Sequence, residues 1–154
     1  MRVHIIDSTH FLDLHKRRML KSQVRLVLKN LSLPNNVEIC ITFVDDNIIR
    51  NLNETYRGIK RATDVLSFPQ DGPDETLRFN TAIAKAKNQT IHLGDIVISV
   101  DTAKRHARLY GNSLKKEIQK LIIHGILHIL GYDHKKKNEA FVMRKKEKEL
   151  LSLT

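Results

Sequence analysis

The stretch Ile122-Ile123-His124-Gly125-Ile126-Leu127-His128-Ile129-Leu130-Gly131-Tyr132-Asp133-His134 decides how this chain reads. Its aliphatic residues run nearly all the way round, the pattern of a helix buried inside a protein. A histidine in such a helix costs free energy unless its ring nitrogens find partners. His124 and His128 sit four residues apart and so share one helical face, one turn from each other. Gly131 stands where a left-handed residue ends a helix, which lets the chain reverse and bring His134 back towards the pair. Three imidazoles with a fourth position left to water are the ligand set of a catalytic zinc centre. Imidazole also suits Cu, Fe and Ni, but Zn2+, one per chain, is the default for hydrolysis. The plainer alternative, core histidines bonded to backbone carbonyls, accounts for one such residue more readily than for three.

The spacing matches the metzincin motif H-E-x-x-H-x-x-G-x-x-H with one change. That motif uses its glutamate as the general base of a metalloprotease. Here the position is Gly125, which neither takes nor gives a proton. A zinc amidase or peptidase therefore falls behind chemistry that draws its base from elsewhere.

At 154 residues, the chain is expected to form one domain over 1–154, long enough to bury a substantial core. Hydrophobic residues at 41% and charged residues at 29% exclude a disordered chain. A net charge of +10 attracts polyanions, so nucleic acid leads the partner classes. Aromatic residues make up only 5%, which favours recognition of RNA by backbone charge and shape over stacking on bases. Cys40, the single cysteine, excludes an internal disulfide and a thiolate metal cage, and its apolar surroundings predict a buried small hydrophobe. No apolar stretch approaches the roughly 20 residues that span a bilayer, and no signal pattern opens the chain. The expected location is the cytoplasm, with no membrane partner.

Outward from the histidines, Val3 to Asp7 reads as a strand. Phe11 to Leu31 reads as an amphipathic helix with Leu12, Met19, Val24, Val27, Leu28 and Leu31 inward. Val37 to Val44 is a strand with Val37, Ile39, Ile41 and Phe43 on one face. Asp45 or Asp46 caps a helix to about Tyr56, and a basic loop from there enters a strand at Asp64 to Phe68, stopped by Pro69. From Gln70 to Thr90 the text is turn-rich, with Ala82 to Lys87 as a short helix or hairpin arm. Ile91 to Val100 is a strand in which Gly94-Asp95 marks a bulge or close approach. Asp101 caps a helix to Tyr110, Ser113 caps the histidine helix from Leu114 to Leu130, and a basic helix runs from Asn138 to Leu151. Mixed strands and helices predict an α/β (α+β) domain, a mixed sheet of about four strands packed with helices.

Two further blocks, Thr63-Asp64-Val65-Leu66-Ser67-Phe68-Pro69 and Leu93-Gly94-Asp95-Ile96-Val97-Ile98-Ser99, join the histidine block in a fixed order. With all three, the chain resembles the YbeY family of bacterial metal-dependent endoribonucleases that mature ribosomal RNA. The resemblance implies a single α/β domain, a metal held by His124, His128 and His134, and cleavage of RNA linked to the ribosome. Its partners would be rRNA, the ribosome and ribosome-associated proteins, with no DNA. The family's functional arginine falls on Arg57. Lys60 and Ala62 stand where the family has an acidic residue and a proline, and the segment from Gly72 to Thr90 is longer than in the family.

Cleaving a phosphodiester increases negative charge in the transition state, which a Lewis-acid metal and a guanidinium stabilise. Arginine's planar fork can hold two phosphate oxygens at once, the physical case for Arg57 opposite the metal. Asp133 and Asp95 each admit two readings, orienting a ligand ring or serving a turn. The sequence leaves two rivals standing beside an endoribonuclease: the peptidase without its glutamate, and a ribosome assembly factor whose metal only staples the fold.

Overall fold

A computed structural model describes residues 1–70, 90–132 and 137–154. Their order is β1 (Arg2–Asp7), α1 (Leu14–Asn30), β2 (Val37–Val44), α2 (Asp46–Arg57), β3 (Val65–Pro69) and β4 (Ile91–Ser99). Three more helices follow: α3 (Val100–Leu109), α4 (Leu114–Ile129) and α5 (Lys137–Leu151). The four strands form one mixed sheet in the order β1-β2-β4-β3. β1, β2 and β4 run parallel, and β3 lies antiparallel along β4 at the edge. This is the α/β domain with a four-stranded mixed sheet that the sequence pattern called for.

Alternation along the strands sorts the core into two faces. Val37, Ile39, Ile41 and Phe43 point together into the main core, each at most 1% exposed, with Val65, Ile96 and Ile98 beside them. α1, α4 and α5 supply the other wall through Val24, Leu28, Ile122, Ile126, Met143 and Leu150. Val44, Leu66 and Val97 point the opposite way and make a smaller cluster with Ile49 of α2. The helix that ends on Arg57 thus packs on the face opposite the helix that carries the histidines.

Several expectations shift in detail. α1 begins at Leu14 rather than Phe11, because the Asp13 carboxylate accepts from the Lys16 N–H and fixes the start. Within it Leu20, not Met19, is the buried residue. The helix α2 continues through Arg57 and stops at Gly58, whose φ of 70° is open to glycine. Pro69 ends β3 from inside, still paired with Gly94, and an edge position tolerates its missing N–H. Ser99 rather than Asp101 caps α3, its hydroxyl accepting from the Thr102 N–H at 3.1 Å. Cys40 is half-buried on the outer face of the sheet, its sulfur 3.9 Å from the Thr42 hydroxyl, and not a core residue. The run Ala82 to Lys87 lies outside the described residues.

The bulge expected at Gly94 is there, since Glu38 faces His92 while Cys40 faces Asp95. With φ at 139°, an added Cβ would run into the Phe68 carbonyl across the pair. Glycine is what lets β3 lie this close to β4.

One carboxylate ties the sheet end to two helices. Asp46 accepts from the Ser99 hydroxyl at 2.6 Å and the Thr102 hydroxyl at 2.7 Å, and pairs with the Arg105 guanidinium at 2.7 Å. Burial pushes its pKa up, but the Arg105, Ser99 and Thr102 bonds outweigh that and bring it down to about 2. A folded value below the unfolded one stabilises the protein above the unfolded pKa, and that stability is lost as pH falls from 4 towards 2. Asp46→Asn is expected to cost about 2 kcal/mol at neutral pH. Urea titrations should also show the variant losing less stability than the parent between pH 5 and pH 3.

Candidate functional site

The Ser113 hydroxyl starts α4 by accepting from the Lys116 N–H at 3.2 Å. The helix then buries Ile118, Leu121, Ile122, Ile123, Ile126 and Leu127, which fixes its rotation against the sheet. Gly125 lies on the sheet-facing side. A Cβ placed there would meet the Ile96 side chain at 2.9, 3.0 and 3.1 Å. This is a physical reason for glycine where the metzincin pattern has glutamate, because a side chain there has to displace the buried Ile96. A glutamate base at this position would have to push Ile96 aside.

Rotation about that contact leaves His124 and His128 half-buried on the other side. Their Nε2 atoms face each other at 3.0 Å, with ring centroids 4.5 Å apart. The Nδ1 of His124 lies 2.6 Å from Glu147 Oε1 of α5. With the carboxylate accepting, Nδ1 is the donor of this pair, the arrangement by which a carboxylate orients a metal-ligating imidazole. A tetrahedral zinc with bonds of roughly 2.0–2.1 Å to nitrogen sets its ligand atoms roughly 3.3 Å apart, so the two facing nitrogens fit such an ion closely. At the helix end the Gly131 N–H bonds the His128 carbonyl and the Tyr132 N–H bonds the Leu127 carbonyl, each at 3.0 Å. With Gly131 at φ 87°, these bonds make the left-handed reversal expected there. His134 and Asp133 lie outside the described residues. Among the described residues, no group of three or more His, Cys, Asp or Glu side chains is placed to hold a metal.

Glu147 was not singled out by sequence reasoning. It follows His124 by 23 residues on another helix, and no spacing rule links them.

Beside His124 and Glu147 a cavity of about 520 Å³ opens between α3, α4 and α5. Asp64, from the Thr63–Pro69 block, forms its rim. The Asp64 carboxylate caps the start of β3 by accepting from the Val65 N–H at 2.8 Å, and lies 3.5 Å from His106 Nδ1 of α3. Arg57 is exposed in the last turn of α2, away from this cavity. Its neighbour Tyr56 packs edge-on against Phe68 of β3 at 5.0 Å. The structure therefore brings His124 and His128 together and sets Arg57 across the edge strand from them.

The family model for endoribonuclease YbeY matches residues 4–154 of this chain. The endoribonuclease YbeY of Aquifex aeolicus is 43% identical over 141 residues, covering 89% of this chain and 83% of that one. That of Shouchella clausii is 38% identical over 149 residues, or 97% and 92% of the two chains. Among solved structures, the solution structure of TM1509 from Thermotoga maritima superposes with a TM-score of 0.66 at 26% identity. It covers 97% of this chain and 87% of that one.

The Gly125–Ile96 contact yields a test of sign. Glycine to alanine inside a helix ordinarily stabilises by roughly 0.5–1 kcal/mol. Gly125→Ala should instead destabilise by roughly 1–3 kcal/mol, because Ile96 is enclosed and has to be displaced. Trimming Ile96→Val in the same chain should recover part of that loss, measured from urea midpoints.

Proposed function

The chain belongs to the endoribonuclease YbeY family, and on that premise we propose that it is a zinc-dependent endoribonuclease. Its substrate in this reading is single-stranded rRNA, cut in the cytoplasm during ribosome maturation and quality control. The observation that carries the reading is the pair of facing imidazoles, one of them held from behind by a carboxylate. His124, His128 and His134 would hold the ion, and Glu147 would fix the ring and tautomer of His124. When bound, zinc supplies Lewis acidity at the scissile phosphate.

The rest is done by the chain's own groups. Arg57 neutralises charge growing on the phosphate oxygens, with a fork geometry that lysine lacks. An RNA strand laid across the edge strand β3 would meet the histidines on one side and Arg57 on the other. The net charge of +10 gathers the polyanion before any specific contact forms. Gly125 supports this reading over a peptidase, since the glutamate base is missing and a side chain there would crowd Ile96.

The test uses structured rRNA fragments with purified protein. Cleavage is expected to stop on chelation and return with zinc. His128→Ala should lose zinc by elemental analysis, and undiminished zinc would remove the metal assignment. Arg57→Lys should keep its zinc and its fold while single-turnover cleavage slows about a hundredfold. Cleavage that persists at full rate in chelated protein would overturn metal dependence. Tight RNA binding with no cleavage under any condition would favour an assembly factor.

A further inference from the structure

The cavity beside His124 has an arrangement that metal binding does not require. Each carboxylate on its walls already has a partner. Asp64 faces His106, Glu147 holds His124, and Glu117 takes Lys120 at 3.4 Å together with the Asn112 amide at 3.3 Å. The cations of α5 are different. Arg144 and Lys148, one helical turn apart on the face that lines the cavity, have no ion pair among the described residues. Tyr110, at the end of α3, lines the same cavity with 61% of its surface exposed. His106 meets the Tyr110 ring at 64°, edge against face, at a centroid distance of 5.8 Å. The Lys120 ammonium lies over one face of the same ring, 5.8 Å from its centroid, a long cation–π contact that a stacking base would displace. The ring is thus positioned by His106 and Lys120, and most of its surface is exposed.

An aromatic ring and two cations without an ion pair among the described residues, lining one cavity, are the chemistry that holds one nucleotide, base on the ring and phosphate on the charges. A volume of about 520 Å³ suits a ligand of that size. We infer that this cavity is a nucleotide subsite, which takes a residue of the RNA strand flanking the scissile bond, with its base on Tyr110 and its phosphate on Arg144 and Lys148. The inference rests on the endoribonuclease reading for its substrate and names where the strand is held next to the histidines. It gives the protein a stacking contact that its low aromatic content argued against, because one well-placed tyrosine is enough.

The chain contains no tryptophan, so Tyr110→Trp installs a single reporter that can still stack. Titrated with a short single-stranded 2′-O-methyl oligoribonucleotide, checked intact by gel afterwards, its emission should be quenched as binding saturates. Tyr110→Ala should bind this oligonucleotide about tenfold more weakly, and Tyr110→Phe should bind as the parent does. On an oligomer of abasic sugar-phosphate the parent and Tyr110→Ala should bind alike. Arg144→Ala combined with Lys148→Ala should weaken both probes and reduce the salt dependence of affinity by roughly 1.4 units of log slope. Unquenched emission at saturation, or parental affinity in Tyr110→Ala, would overturn the subsite even if rRNA cleavage proceeds. Loss of cleavage with these binding differences intact would instead strike the endoribonuclease reading and leave the subsite standing.

Discussion

The close approach of α4 to β4 at Gly125 and Ile96 sets the position of nearly everything else. A helix lying this low on a sheet can bury aliphatic residues on a broad arc, and Ile122, Ile126 and Leu127 use it. The same depth turns His124 and His128 away from the core, onto the side of the helix that also carries exposed Lys120. It also brings α4 near enough to α5 for Glu147 to reach His124. Packing therefore decides the chemistry, since the contact that makes the site rigid removes the side chain a peptidase would have used.

Much of this was legible in the sequence, for reasons that can be named. The strands and helices follow from apolar periods, and the i, i+4 histidines followed by Gly131 mark one face and its end. What failed to show was contact between distant parts of the chain. Nothing in a linear reading joins Glu147 to His124, or Asp46 to Arg105, since each pair lies on separate elements brought together by the sheet. Cap positions slipped for a local reason: both Ser99 and Asp101 are good capping residues, and only the end of β4 selects between them. Cys40 departs from the core placement its apolar neighbours predict, because alternation puts it on the outer face of a strand whose other face is fully apolar.

The sheet also explains why Arg57 and the histidines are hard to relate from sequence alone. β3 is an edge strand with different company on each side. Val65 belongs to the core beneath α4, whereas Leu66 and Phe68 pack with α2. The Thr63–Pro69 block therefore serves both faces at once, and its one-residue alternation divides its side chains between the arginine helix and the histidine helix.

The two acids at the start of α2 look interchangeable in the sequence, yet each has a separate task. Asp45 closes the helix by accepting from the Ile48 N–H at 2.9 Å, while Asp46 takes two hydroxyls and a guanidinium from β4 and α3. Asparagine could do the first task, having one oxygen to offer. It could not do the second, and glutamate would carry the charge too far from three fixed donors. Of the two neighbours, position 45 asks only for an acceptor, whereas position 46 asks for a short carboxylate with both oxygens in use.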